Sequence, residues 1–223
     1  KGEIMGYKEE GYLPEAILNF LALLGWNDGG ENEIFSLKEL ISLFDLKRVH
    51  LAGARFSPEK NKWFNQQHIQ RLSISDFSSL CKAVIENHGF VVNDENKLNS
   101  IALMIQPRVV LTTKLWQELN VFFEGPKRYD EKALKKVWKE KTPSLLRAVA
   151  KALSSDEDIT LEKLKNILKG VADGAGIGHG SLMGPLRIAI VGSLSGPDLI
   201  SLINTLGAEE IIGRIDSALK ALE

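Results

Sequence analysis

The densest run of chemically useful side chains lies at residues 127–141, where Lys127, Arg128, Lys132, Lys135, Lys136, Lys139 and Lys141 stand against Asp130, Glu131 and Glu140. Seven cations against three anions suit contact with a polyanion, since lysine and arginine bind phosphates and release their counterions. At helical spacing Leu134, Val137 and Trp138 anchor the segment, while Lys132 with Lys136, and Lys135 with Lys139, project from other faces. A merely solvated helix face explains the same lysines, and on this run alone that explanation carries about twice the weight. A second basic group, Lys47, Arg48, His50, Arg55, Lys60 and Lys62, surrounds the turn into a helix begun at Ser57-Pro58 and offers another phosphate-contacting surface. Beside it Trp63 and Phe64 fit a packed core better than a base-stacking platform.

Other chemistries lack their residue patterns. His50, His68, His88 and His179 are scattered, without HExxH spacing or an acidic cluster, so no metal site is signalled. The glycines at 174, 176, 178, 180 and 184 miss the GxGxxG phosphate loop, because His179 holds the required third glycine position and no GK[ST] follows; they are expected to join two helices. Gly180-Ser181 and Gly192-Ser193 do not extend to GxSxG. No nucleophile, base and orienting group can be assembled, and no catalytic residue is assigned. The single cysteine, Cys81, makes no intramolecular disulfide, which fits a reducing compartment, the cytoplasm by default.

The elements that must position these basic groups are helices. The 223 residues are 44% hydrophobic and 26% charged with a net charge of -1, an ordinary globular composition in which any nucleic-acid contact must come from local patches. Apolar residues recur at helical spacing in Ile17, Phe20, Leu21 and Leu24, in Leu37, Leu40, Ile41 and Phe44, and again along the second half of the chain. Ser36 with Glu39 forms a capping-box signature, and Ser57-Pro58, Thr142-Pro143 and Gly196-Pro197 mark further starts, because proline suits a first helical turn. At least nine helices are predicted. Phe90-Val91-Val92 and Arg108-Val109-Val110-Leu111 are too short to build a sheet, so the fold class is mainly α. No run approaches the roughly 20 apolar residues of a membrane span, and Lys1-Gly2-Glu3 suggests a cut site rather than an initiator or signal peptide.

Five segments then carry a resemblance: GYLPEAILNFLALLGW at 11–26, IFSLKELISLFDL at 34–46, ARFSPEKNKWFNQQHI at 54–69, GPLRIAIVGSLSGPDL at 184–199 and LGAEEIIGRIDSAL at 206–219. Together they resemble the part that follows the catalytic domain in bacterial-type glutamyl-tRNA synthetases. The resemblance covers nearly the whole chain. It implies a stem-contact helical domain at 1–72 and an all-α anticodon-binding cage of two helical subdomains, 73–142 and 143–223. It further implies a monomer that binds the glutamate tRNA, with a missing N-terminal catalytic domain in cis. ATP and magnesium belong to the parent ligase, with no cofactor in these residues. The HIGH-like and KMSKS-like signatures of class I activation do not occur in the sequence, so the chain is expected to be inactive alone, and its helical periodicity argues against a glutaminyl enzyme with β-barrels at the anticodon end. Arg108 matches the arginine that reads the third anticodon base in discriminating members of the family, a task suited to a guanidinium fork. Arg187, in Pro185-Leu186-Arg187, belongs to a family motif in which bracing the last helices and touching RNA are equally open. The implied RNA-binding set is Arg108, Lys47, Arg48, Lys62, Lys132, Lys135, Lys136, Lys139 and Arg187. The alternative is an α-helical protein-interaction or scaffold domain whose lysines are only solvated.

Overall fold

Local capping chemistry determines where most of the helices begin. A computed structural model describes residues 6–50, 55–155 and 160–223. Among the described residues the order is α1 (Tyr7–Glu10), α2 (Pro14–Gly25), α3 (Leu37–Leu43), α4 (Pro58–Arg71), α5 (Ile74–Asn87), α6 (Glu95–Ile105), α7 (Leu115–Leu119), α8 (Glu131–Val137), α9 (Thr142–Leu153), α10 (Leu161–Gly174), α11 (His179–Val191), α12 (Leu199–Leu206) and α13 (Ala208–Leu222), with short 3-10 turns between some of them. No strand occurs among them, only one isolated bridge between Trp26 and Val49, so the mainly α expectation holds. At α3 both arms of the capping box form: the Ser36 hydroxyl accepts from Glu39 N, and Glu39 accepts from Ser36 N at 2.7 Å. Two expected boundaries move. Gly196-Pro197 precedes rather than starts a helix, because Asp198 caps α12 by accepting from Ser201 N at 2.9 Å. The glycine-rich linker does join two helices, but α11 starts at His179 and takes Gly180 and Gly184 into its body.

The chain divides into two compact units, residues 1–118 and 119–223. In the first, α2 and α4 face each other through Ala16, Asn19 and Phe20 on one side and Phe64, Asn65 and His68 on the other. Their shared core is partly polar, yet it is held by hydrogen bonds that reach loops. Asn65 Oδ1 accepts from Leu13 N at 2.7 Å while its amide nitrogen donates to the Val110 carbonyl at 2.6 Å. Buried amides placed this way satisfy backbone groups that no helix ladder reaches. α5 and α6 pack through Phe77, Cys81 and Ile85 against Leu98, Ile101 and Ala102. Burial pushes the Cys81 thiol up to about 12, which makes it a packing group rather than a nucleophile.

Two apolar expectations fail in this unit for geometric reasons. α3 has only seven residues and buries Leu40 alone beside Trp26 and Phe35, so Leu37, Ile41 and Phe44 remain exposed, Ile41 at 72%. Trp63 is 39% exposed, because the buried stripe of α4 runs through Asn61, Phe64, Asn65 and His68 and leaves it to one side; Phe64 is fully buried as expected.

In the second unit α9, α10, α11 and α13 surround Leu146, Leu164, Leu168, Leu186, Ile211 and Ile215, all fully buried. α8 rests on α11. A Cβ on Gly184 would lie 3.2 Å from Val137 Cγ1, so this glycine permits the close approach. Sequence reading missed Arg214 as a core residue: only 4% exposed, it donates from Nη1 to the carbonyls of Val121 at 2.8 Å and Ile190 at 3.2 Å.

Candidate nucleic-acid interface

Arg108 ends the 3-10 turn Gln106–Arg108, and that turn is tied to α4 from two sides. Gln106 Nε2 donates to the carbonyls of Ile69 at 2.8 Å and Leu72 at 3.0 Å at the end of α4, the first of which also accepts from Leu72 N at 3.2 Å. The carbonyl of Pro107 accepts from Gln66 at 2.9 Å and Gln70 at 3.2 Å. The side chain of Arg108 is half-buried and gives its Nε–H to Glu118 Oε2 at 2.6 Å. That hydrogen bond leaves the end-on pair of terminal nitrogens outside the ion pair. Glu118, Gln66, Gln70 and Gln106 all escaped sequence reading.

The basic segment of the second unit is shorter as a helix than its spacing predicts. Asp130 caps α8 by accepting from Lys132 N and Ala133 N, and the helix ends at Val137, where Trp138 turns extended. Lys139 therefore lies in the turn into α9, its backbone N–H held by Thr142 Oγ1 at 2.9 Å. Lys132, Lys135 and Lys136 share one exposed face of α8, opposite Ala133 and Val137. Lys127, by contrast, pairs with Glu124 at 3.1 Å.

The first basic group spreads over several surfaces. Lys47 is exposed in the 3-10 turn Leu46–Arg48, capped by Asp45, and Arg48 donates to the carbonyl of Asp28. His50, Arg55 and Lys60 edge a groove of about 640 Å³ floored by Phe20, Leu24 and Phe64, and Lys60 is paired with Glu33. Lys62 is exposed on α4 and does not line that groove. Arg187, on α11, donates to the carbonyl of Pro197 at 2.8 Å, which ties α11 to the segment before α12.

Near Arg108, α7 carries an aromatic stack. The His88 ring lies over Trp116 with centroids 3.9 Å apart and planes at 11°, and Phe90 stacks on the same indole at 5.7 Å. Chemically, the described surfaces offer a fixed guanidinium, a lysine face and flat rings, the groups that recognise unpaired bases and phosphates.

Comparison with known proteins agrees with this inventory. The family model described as "Anticodon binding domain" matches residues 70–219, and that described as "tRNA synthetases class I (E and Q), catalytic domain" matches residues 2–63. A glutamate–tRNA ligase of Flavobacterium johnsoniae is 42% identical over 222 residues, covering 100% of this chain and 44% of the relative. The enzyme of the same name from Porphyromonas gingivalis is 40% identical, covering 97% of this chain and 43% of its own. A crystal structure of a glutamate tRNA ligase from Elizabethkingia meningosepticum, in complex with its amino acid, superposes with a TM-score of 0.90 at 41% identity over 98% of this chain and 43% of that one. The chain thus spans less than half the length of these relatives.

Proposed function

Because the chain belongs to the anticodon-binding-domain family found in glutamate–tRNA ligases, we propose that it docks the glutamate tRNA and reads its anticodon within a longer ligase. The observation that carries this is the anticodon-binding match over 70–219, coinciding with an all-helical fold that superposes on a glutamate tRNA ligase. Residues 1–72 brace the tRNA stem, with Lys47, Arg48 and Lys62 toward phosphates. Residues 73–142 and 143–223 receive the anticodon arm, with Arg108 on the third anticodon base and Lys132, Lys135, Lys136 and Lys139 on the backbone. Arg187 serves the same surface by holding α11 to the Pro197 turn. Support for a break near 72 comes from the two family matches, which end at 63 and begin at 70.

In this proposal the parent ligase joins glutamate to tRNA with ATP and magnesium, works as a monomer and resides in the cytoplasm. Among the described residues no three His, Cys, Asp or Glu side chains come together to hold a metal, and no helix is long and apolar enough to cross a membrane. The contribution of this chain is RNA docking.

The test is binding of glutamate tRNA, and of a version with a substituted anticodon, at two salt concentrations. Binding should weaken steeply with salt and favour the native anticodon, and replacing Lys135 and Lys136 by alanine should lower the log–log salt slope by roughly one unit for each phosphate no longer neutralised. A folded chain that binds no tRNA at low salt would refute the proposal. The exposed Leu37, Ile41, Phe44 and Leu46 would then favour the second reading, a protein-interaction domain.

A further inference from the structure

The geometry points to Glu118 as the positioning residue that aims Arg108 at a base edge. This inference rests on the anticodon-reading role proposed for Arg108 and deepens it. The backbone root of Arg108 is immobilised from α4: Gln106 donates to Ile69 and Leu72, and the Pro107 carbonyl takes two glutamine side chains. The following Val109 is buried at 1%. With the root fixed, the long side chain still has its own torsions, and the 2.6 Å bond from Nε to Glu118 Oε2 restrains them. Glu118 is itself well held, because α7 buries Leu115 and Leu119 on either side of it.

An arginine can present two edges, one made by Nε and a terminal nitrogen, the other by its two terminal nitrogens. Glu118 occupies Nε and so selects the second edge for a bidentate contact, the geometry that discriminates between bases. Its carboxylate also repels phosphates. The pair thus disfavours a backbone contact by Arg108 while leaving its fork free to bind base acceptors. An exposed ion pair would contribute little order, but this one has side chains only 31% and 24% accessible.

The experiment compares the full chain with Glu118→Ala, Glu118→Gln and Arg108→Ala. Fluorescence anisotropy is measured on glutamate tRNA, on the same tRNA substituted at the third anticodon base, and on one substituted at the first. The unsubstituted chain should prefer the native third base by about tenfold or more. Glu118→Ala should lose most of that preference, keep the first-base penalty and bind all three RNAs more tightly at low salt. Glu118→Gln should retain part of it, because its amide oxygen can still accept from Nε. Third-base discrimination that survives intact in Glu118→Ala would overturn the inference, as would equal loss at both bases, which signals a loosened fold. If the unsubstituted chain shows no anticodon preference, the proposed function fails and this inference with it; if Arg108→Ala keeps the preference, Arg108 is not the reader and Glu118 has nothing to position.

Discussion

The ring Nε2 of His68 lies 2.9 Å from the amide oxygen of Asn19, which also accepts from Phe35 N at 2.9 Å. Since that oxygen can only accept, the imidazole donates, and the tautomer is assigned from the network. Burial holds the His68 pKa below its ordinary value, with the nearby Arg71 charge adding to the effect. As pH falls through about 6.5, the unfolded chain takes up a proton that the folded one refuses, so stability drops until the depressed folded value is reached; above that window the group contributes no pH dependence. Urea midpoints at about pH 7.5 and about pH 5.5 should differ more in the unsubstituted chain than in His68→Gln, which keeps a donor without a titrating ring.

Asn61 is 1% exposed, and among the described residues neither its amide nitrogen nor its amide oxygen has a hydrogen-bond partner. Such a group is desolvated without compensation. Replacing it by leucine, whose side chain branches at the same atom without polar groups, should raise the free energy of unfolding by about 1–3 kcal/mol. The denaturant midpoint would shift upward with an unchanged m-value.

Arg214 is buried too but largely satisfied, with bonds from Nε and Nη1, while its Nη2 has no partner among the described residues. Its bond to Glu210 at 2.6 Å involves a carboxylate that is 47% exposed and adds little, whereas its contacts with the Val121 and Ile190 carbonyls are buried. Arg214→Ala should destabilise by about 1–3 kcal/mol for each buried carbonyl left without a donor, and Arg214→Lys should recover only part, because an ammonium lacks the planar fork. Thermal melts of both variants check the order.

Between α8 and α11, glycine decides the spacing. Gly184→Leu should cost about 1–3 kcal/mol by pushing against Val137, and adding Val137→Ala should restore a portion of that stability. A double-mutant cycle measures the coupling. The same displacement should weaken tRNA binding, because α8 carries Lys132, Lys135 and Lys136.

What the sequence revealed was local. Ser36 with Glu39, and Pro58 and Pro143 at their first turns, act within a few residues, and the structure has each in the expected role. Apolar periodicity identified the core of α9, α10 and α13 but misjudged α3, whose short length allows one buried contact. The basic segment was legible as charge and misread as a single helix, because the break at Trp138 depends on Thr142 holding Lys139 N. Long-range polar partners left no trace in spacing: Glu118 is ten residues from Arg108, and Arg214 is 93 from the Val121 carbonyl it serves. Buried asparagines and arginines look like surface residues until the chain supplies their acceptors.

The stack on α7 gives the molecule an optical handle. Of the four tryptophans, Trp26 is sealed in a core and Trp63 faces solvent, while Trp116 sits beneath His88 and two positions before Glu118. Indole emission depends on what lies against the ring, so a movement of α7 or of the His88 ring changes its colour and yield. With Trp63 and Trp138 replaced by phenylalanine, occupancy at Arg108 can therefore be followed through intrinsic fluorescence, with no dye attached to protein or RNA.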